Sequence, residues 1–192
     1  EVNYEVDSIF YLVTADKKMY TEIIIPKDKL NGATHGKKVF VVITEWTDPL
    51  KSPIGEVTEV LGNPGENNAE MKGIALEKGF RENFPHEVDK EAEEIKKLGI
   101  SEEEILKRKD FRDTTTFTID PFDAKDFDDA LSFKELSNGD FEIGIHIADV
   151  SHYVTPKTKI DKEAIKRSTS LYLVDRTVPM LPEIISNDLC SL

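Results

Sequence analysis

Cysteine is almost absent from this chain, because Cys190 is the single thiol among 192 residues. One cysteine cannot form a disulfide within the chain, and disulfides belong mainly to oxidising compartments. We therefore expect a cytoplasmic protein without a disulfide partner. A run of about 18 apolar residues is also lacking, which excludes a membrane-spanning helix. The opening residues EVNYEVDSIFYLV are acidic, unlike a signal peptide, and the final residues are apolar. The acidic start and the apolar end both indicate that the chain is a piece of a longer protein.

Basic residues are scarce relative to acidic ones. The chain has 25 lysines and arginines against 38 aspartates and glutamates, so its net charge is -13 at pH 7. Contacts with phosphate need clustered positive charge. The acidic balance therefore excludes a protein that binds nucleic acid with its whole surface. A hydrophobic fraction of 39% supports a core, and the length allows one ordinary domain or two small ones.

Residues 4–62 consist of short apolar, β-branched runs separated by turns. The runs SIFYLVT, MYTEIIIP, KKVFVVITEW and IGEVTEVLG predict strands. Their order is compatible with a five-stranded oligonucleotide-binding barrel, which we assign to residues 1–75. Phe10, Tyr11, Phe40 and Trp46 are candidate platforms for stacking nucleic-acid bases, and packing in the core is an equally good interpretation of each.

A helical linker is predicted over residues 76–110. HEVDKEAEEIKKLGI places Val88, Ala92, Ile95 and Leu98 on one stripe at helical spacing, and Ser101 begins a second helix as a capping residue. We interpret the many glutamates there as a solvated surface.

Strand patterns return in residues 111–192. TTTFTID and ALSFKEL precede an Asn-Gly turn at 138–139, and the apolar run FEIGIHIADVSHYV follows, so a hairpin is predicted. Thr158 is placed to cap a helix through KIDKEAIKRSTS, after which LYLV is extended. The overall prediction is an α+β chain, with a small OB-like, cold-shock-type barrel followed by an incomplete mixed α/β region.

Five aspartates fall within ten residues, at positions 120, 123, 126, 128 and 129. So many carboxylates repel one another unless a cation neutralises them. Oxygen ligands without cysteine or nearby histidine select a hard ion such as Mg²⁺, Mn²⁺ or Ca²⁺. A solvated acidic loop is the alternative.

The calcium-loop alternative can be tested on spacing, because an EF-hand loop requires glycine at its sixth position. The sequence has no glycine between Gly99 and Gly139. Mg²⁺ is therefore favoured, with Mn²⁺ as a substitute. Carboxylates around one or two such ions suit metal-assisted cleavage of a phosphodiester.

Four segments, FTIDPFDAKDFDDALSF, IHIADVSHYV, STSLYL and VPMLPEIISNDLCSL, resemble the ribonuclease II and ribonuclease R family, whose catalytic domain is called RNB. The upstream region FYLVTADKKMYTEIIIPKDKLNGATHGKKVFVVITEW is similar to the family's cold-shock-type barrel. The layout resembles ribonuclease R more than ribonuclease II. The resemblance implies a fragment of a processive 3′-to-5′ exoribonuclease. Such an enzyme uses two Mg²⁺ ions to hydrolyse single-stranded RNA from its 3′ end to nucleoside 5′-monophosphates.

The resemblance also implies roles for individual residues. The family's metal-site aspartates match Asp120, Asp126, Asp128 and Asp129, and Asp128 is the one implied to be most critical for catalysis. Asp123 matches no member of that set and is interpreted as a solvated turn acid. Tyr172 matches a tyrosine that stacks near the 3′-terminal end of the RNA.

Several other residues are interpreted as structural. His146 and His152 are expected to pack or to form surface hydrogen bonds rather than to bind metal, Asp149 to support the fold, and Cys190 to be buried. The family's catalytic domain continues beyond the matched segments, so we expect this chain alone to have little or no activity. A non-catalytic RNA-binding module on an RNB-like scaffold is the alternative function. The sequence does not predict the oligomeric state.

Overall fold

The computed structural model describes residues 2–6, 9–14, 18–122 and 124–192, and for residues 3–6 the backbone alone. The chain divides into two compact units, Glu1–Glu82 and Asn83–Leu192. Within the described ranges, no helix combines the length and the apolar character needed to cross a membrane.

The first unit is a five-stranded sheet followed by a helix. Its strands are β1 (Val2–Val6), β2 (Ile9–Leu12), β3 (Ile23–Pro26), β4 (Lys38–Glu45) and β5 (Ile54–Gly62), and helix α1 (Asn67–Glu77) follows. The strand order is β1-β2-β3-β5-β4, with β3 parallel to β5 and the other neighbours antiparallel. This is the arrangement expected for an oligonucleotide-binding barrel, so the predicted fold of this unit is confirmed.

Backbone hydrogen bonds bring the two edges of this sheet together. The Val2 amide donates to the Lys37 carbonyl over 3.2 Å, and the Gly36 amide donates to the Val2 carbonyl over 2.8 Å. The segment that leads into β4 therefore lies beside the start of β1. Apolar side chains fill the interior, namely Val2, Leu12, Ile23, Ile25, Ala33 and Val57.

The second unit begins with helices α2 (His86–Leu98) and α3 (Glu102–Lys107). Ser101 caps α3 by accepting a hydrogen bond from the Glu104 amide over 3.2 Å, as predicted. Val88 and Ala92 are buried, but Leu98 is 83% exposed. The prediction that Leu98 joins the packed stripe is wrong. It is the last residue of α2, one turn beyond Ile95, which still packs against the core.

Glu91 is an exception to the solvated surface predicted for α2. Its carboxylate accepts a hydrogen bond from the Ile160 amide over 2.8 Å. Ile160 lies in the first turn of α5 (Lys159–Arg167), where amides have no partner within the helix. Thr158 caps the same turn by accepting from the Asp161 amide, as predicted. A carboxylate from a distant helix thus completes the cap of α5.

Three antiparallel strands form the sheet of the second unit, in the order β6 (Thr115–Phe117), β7 (Asp129–Glu135) and β8 (Phe141–Ile147). The predicted hairpin is confirmed, with Gly139 at a φ of 85° in its turn. The expected strand through Val154 is wrong, because β8 ends at Ile147 and a short helix α4 follows (Val150–Tyr153). The Ala148 amide still donates to the Asp128 carbonyl in register with the sheet, and the chain then turns, because the Val150 amide donates to the Ala148 carbonyl and the Val154 amide to the Val150 carbonyl.

The chain ends in a small hairpin and a helical turn. Strands β9 (Leu171–Tyr172) and β10 (Thr177–Val178) pair antiparallel. A π-helical turn, Ile185–Leu189, follows. Residues from these last elements pack with α2 and α5 in the core of the second unit: Val88, Ala92, Ile160, Leu181, Ile185 and Cys190.

Candidate metal centre

The backbone of Asp126–Asp129 is held on two sides. The Asp128 carbonyl accepts the Ala148 amide over 3.0 Å, and Asp129 begins β7 opposite Ile147. The Phe127 carbonyl accepts the Leu192 amide over 2.8 Å, and the Phe127 amide donates to the Ser191 hydroxyl over 3.3 Å. The end of β8 and residues 191–192 therefore fix the segment that carries three of the predicted ligands.

The side chains of Asp126, Asp128 and Asp129 are exposed. In the part of the chain that the structure describes, none of the three forms an ion pair or a side-chain hydrogen bond. Three carboxylates within four residues therefore lack a compensating positive charge. Such a concentration of negative charge attracts cations and binds them more strongly than an isolated carboxylate does.

Asp120 lies three residues after the end of β6 and is half-buried. Its Oδ2 atom is buried and has no hydrogen-bond partner among the described residues. Burying a carboxylate oxygen without a partner is costly, and a bound cation removes that cost. Among the predicted ligands, Asp120 therefore shows the clearest structural reason to bind a cation.

The donors suit a hard cation, because they are all carboxylate oxygens. However, no group of three or more described His, Cys, Asp and Glu side chains is arranged so that it could hold a metal ion. The structure therefore holds the backbone of the aspartates but does not bring their side chains to one point. Their assignment as metal ligands stays a prediction. Asp123 lies outside the described residues.

Asp149 is held in an ion pair that supports the aspartate segment. Arg108 donates to its Oδ2 over 2.6 Å, and Ser151 donates to its Oδ1 over 2.8 Å. Both hydrogen bonds lower the pKa of Asp149, Arg108 most strongly. Arg108 also binds Glu104 in α3. Since Asp149 directly follows Ala148, the pair anchors the turn whose amide binds Asp128.

The two histidines have structural partners. The Nε2 atom of His146 lies 2.8 Å from the Ser132 hydroxyl, and its ring meets Phe111 edge-on at 4.6 Å between centroids. The His152 ring meets Tyr153 edge-on at 4.8 Å. Both contacts are of the kind expected from the sequence.

Tyr172 presents an open ring, because it lies in β9 and is 72% exposed. The base of its hairpin is fastened by the Met180 amide, which donates to the Ser170 hydroxyl over 2.9 Å. An aromatic side chain on a fixed hairpin is a suitable surface for a nucleobase.

Arg167 is a buried residue that the sequence reading missed. It donates to Glu163 over 3.0 Å, to the Pro179 carbonyl over 3.1 Å and to the Asn83 carbonyl over 2.9 Å. Its guanidinium also lies 3.7 Å from the centre of the Phe84 ring. Because the bond to Pro179 spans the β9–β10 hairpin, Arg167 anchors the element that carries Tyr172. Arg167 stands at the end of an amphipathic helix, and nothing in the sequence indicated that it is buried.

The aromatic residues of the first unit divide into two kinds. Phe10 packs against the main core and Phe40 against a smaller one beside α1, while Tyr11 is half-buried. Trp46 is 40% exposed and contacts Tyr20. Of the four aromatic candidates, Trp46 is therefore the one best placed to meet a ligand.

Two known domain families match this chain. A model of the RNB domain matches residues 108–192, and a model of the cold shock domain matches residues 11–85. Ribonuclease R of Thermotoga maritima is 39% identical over 184 residues, which are 95% of this chain and 26% of that protein.

Solved structures show the same similarity. RNase R of Mycoplasma genitalium in complex with double-stranded RNA is 33% identical with a TM-score of 0.81. The match covers 94% of this chain and 33% of that one. The yeast pseudonuclease Ssd1 shares the fold with a TM-score of 0.67 at 20% identity, over 95% of this chain and 24% of that one. The chain thus spans about a quarter to a third of the length of these three proteins.

Proposed function

Because this chain belongs to the RNB family, we propose that it is part of a processive 3′-to-5′ exoribonuclease that hydrolyses single-stranded RNA to nucleoside 5′-monophosphates. Similarity to the two ribonucleases R supports this proposal. We further propose that the enzyme acts in the cytoplasm, as the single cysteine favours.

One observation carries the proposal. The Asp126–Asp129 segment lies within the match to the RNB domain, its backbone is fixed by the end of β8 and by residues 191–192, and its carboxylates have no positive partner in the described part of the chain. A structural acidic turn has no need for three uncompensated carboxylates on a fixed backbone. A hard-cation site does need them.

In the proposed site, Asp120, Asp126, Asp128 and Asp129 hold two Mg²⁺ ions, with Mn²⁺ as a substitute, and Asp128 is the most critical. Bound divalent cations supply activation of water as the nucleophile and stabilisation of charge on the leaving oxygen. Tyr172 contributes binding, by stacking on a base near the 3′ end. Stacking does not distinguish between bases, which suits an enzyme that degrades RNA of any sequence.

We propose that the 192 residues alone have little or no exonuclease activity. They span only about a quarter of the length of Thermotoga maritima ribonuclease R, and the described carboxylates do not converge on one point. Steady Mg²⁺-dependent shortening of single-stranded RNA by the purified chain would contradict this.

A second candidate function is a non-catalytic RNA-binding module. The similarity to the fold of the pseudonuclease Ssd1 favours it, since that fold occurs without nuclease activity. All four aspartates that match the metal-site motif are nevertheless present here. A scaffold without catalysis has no reason to keep four repelling carboxylates.

The two candidates are separated by the products that the complete protein releases. With a 5′-labelled single-stranded RNA and Mg²⁺, the exonuclease shortens the RNA from its 3′ end and releases nucleoside 5′-monophosphates. Chelating the metal stops the release. RNA binding without any cleavage at any Mg²⁺ or Mn²⁺ concentration would favour the second candidate.

A further inference from the structure

Two exposed aromatic rings meet at one end of the barrel of the first unit. Tyr20 precedes β3 and is 71% exposed, and Trp46 follows β4 and is 40% exposed. Their ring centroids lie 6.1 Å apart at an interplanar angle of 46°. Single exposed apolar residues are common on protein surfaces, but two large rings in contact form a surface that a planar ligand can cover.

Hydrogen bonds between the two loops hold these rings in place. The Tyr20 hydroxyl donates to the Pro49 carbonyl over 2.9 Å. The Thr21 and Ser52 hydroxyls lie 3.1 Å apart, and the Ile24 amide donates to the Pro53 carbonyl over 2.8 Å. The segment before β3 and the segment before β5 are therefore fastened to each other. A platform that is fixed in advance loses little side-chain entropy when it binds a ligand.

The charges of the unit disfavour a ligand held mainly through phosphates. Lys51, in the loop after Trp46, has its Nζ 3.6 Å from the Asp48 carboxylate. Three further lysines of the unit pair with carboxylates, in Lys29–Glu56, Lys38–Glu70 and Lys72–Glu59. The chain as a whole carries a net charge of -13. A nucleic acid bound here is held mainly by its bases.

We propose that Tyr20 and Trp46 form a stacking site for a nucleobase of single-stranded RNA, in addition to the ring of Tyr172 in the second unit. This inference rests on the proposed function, because it takes RNA as the ligand. Base stacking on aromatic side chains is tolerant of sequence. The site gives the barrel a means of holding RNA although four of its lysines, at positions 29, 38, 51 and 72, are engaged in ion pairs.

The test uses the fluorescence of Trp46, which is the single tryptophan of the chain. The purified 192-residue chain is titrated with a short oligoadenylate in the presence of EDTA, so that metal-bound RNA does not contribute. We expect saturable quenching. Tyr20→Ala weakens binding by about 5- to 150-fold, which corresponds to about 1–3 kcal/mol for one stacked base. Tyr20→Phe keeps most of the affinity, because it keeps the ring.

Phe141→Ala is the matched control, since Phe141 is an exposed aromatic residue of β8 in the second unit with no proposed role in binding RNA or metal, and its removal should leave the Trp46 quenching unchanged. Salt provides a second criterion. Each neutralised phosphate adds a slope of about -0.7 to the dependence of log K on log salt for single strands, so we expect a slope close to zero. Far-UV circular dichroism verifies that Tyr20→Ala is folded.

Three outcomes would overturn the stacking site. The first is the absence of quenching by RNA. The second is quenching that Tyr20→Ala leaves unchanged and that depends steeply on salt. The third is Trp46 fluorescence that changes with protein concentration when no RNA is present. The last would assign the rings to a contact between copies. Exonuclease activity of the complete protein without quenching of Trp46 would refute this inference alone. Quenching of Trp46 in the 192-residue chain, together with no RNA cleavage by the complete protein, would refute the proposed nuclease and leave the stacking site in place.

Discussion

Replacing Arg167 by methionine should strongly destabilise the second unit. The arginine side chain is 5% exposed and binds Glu163, whose side chain is 12% exposed. It also donates to the carbonyls of Pro179 and Asn83. Methionine has a similar volume but donates no hydrogen bond. The substitution leaves two carbonyls without their donor and leaves the Glu163 carboxylate with only the exposed Lys166, whose Nζ lies 3.6 Å away.

The size of the effect follows from these contacts. Removing one partner of a buried ion pair costs about 3–5 kcal/mol when the other charge stays buried without compensation. Because Lys166 remains 3.6 Å from Glu163, we expect the lower end of this range. The free energy of unfolding of a typical domain is only about 5–15 kcal/mol. Arg167→Met should therefore remove a large fraction of the stability of the second unit. Arg167→Lys should cost less, because it keeps the charge, but an ammonium cannot reach all three acceptors with the geometry of a guanidinium.

Urea denaturation followed by two signals tests this prediction. Far-UV circular dichroism reports mainly on the second unit, which contains helices α2 to α5 whereas the first unit contains only α1 among its described residues, and the fluorescence of Trp46 reports on the first unit. We expect Arg167→Met to lower the midpoint of the circular dichroism transition and to leave the fluorescence midpoint unchanged. Arg112→Met is the control, since Arg112 is exposed and binds only Asp110 in the described part of the chain. Equal midpoints for Arg167→Met and the unsubstituted chain would refute the reasoning.

Two further predictions concern the sheet and the turn that support the aspartates. A Cβ atom at Gly144 would lie 2.2 Å from the Ser132 hydroxyl and 2.7 Å from His146 Nε2. Gly144→Ala should therefore separate these two groups and cost about 1–3 kcal/mol, and an unchanged denaturation midpoint would contradict that. Asp149 has a lowered pKa because of its hydrogen bond from Arg108. The stability from this pair is complete above the ordinary aspartate pKa of about 3.9 and is lost as the pH falls through the lowered value. Asp149→Asn should flatten the acid side of the stability curve, and a curve of the same shape would count against the pair.

Local signals in the sequence predicted the elements that local interactions build. Ser101 and Thr158 are helix caps whose partner amides lie three residues away. Gly139 allows the positive φ that the hairpin turn requires. In each case the residue type and its near neighbours contain the physical cause, so the pattern was sufficient.

The features that the sequence did not predict depend on distant partners. Arg167 is buried because it meets Asn83, which is 84 positions away. Glu91 completes the cap of α5 by binding the Ile160 amide, 69 positions later. The expected strand through Val154 stops at Ile147, and Asp149 just beyond it is held by Arg108, which is 41 positions away. No periodicity or propensity within a short window contains these contacts.

The aspartate run lies between these two cases. Its composition predicted a cation site, and the structure adds a fixed backbone and an oxygen of Asp120 without a partner among the described residues. The distances between four carboxylates depend on how β6, β7 and the intervening loop come together. Sequence spacing does not determine that arrangement.

A comparison of Asp128→Asn with Asp123→Asn in the complete protein tests the central claim most directly. Both substitutions remove one negative charge from the same run of aspartates in the sequence, and Asp123 matches no ligand position. We expect Asp128→Asn to retain RNA binding while the Mg²⁺-dependent release of nucleoside 5′-monophosphates falls by about 10³-fold or more, equivalent to about 4 kcal/mol of transition-state stabilisation. Asp123→Asn should stay active. Equal activity of the two variants, whether both high or both lost, would contradict the assignment of this loop.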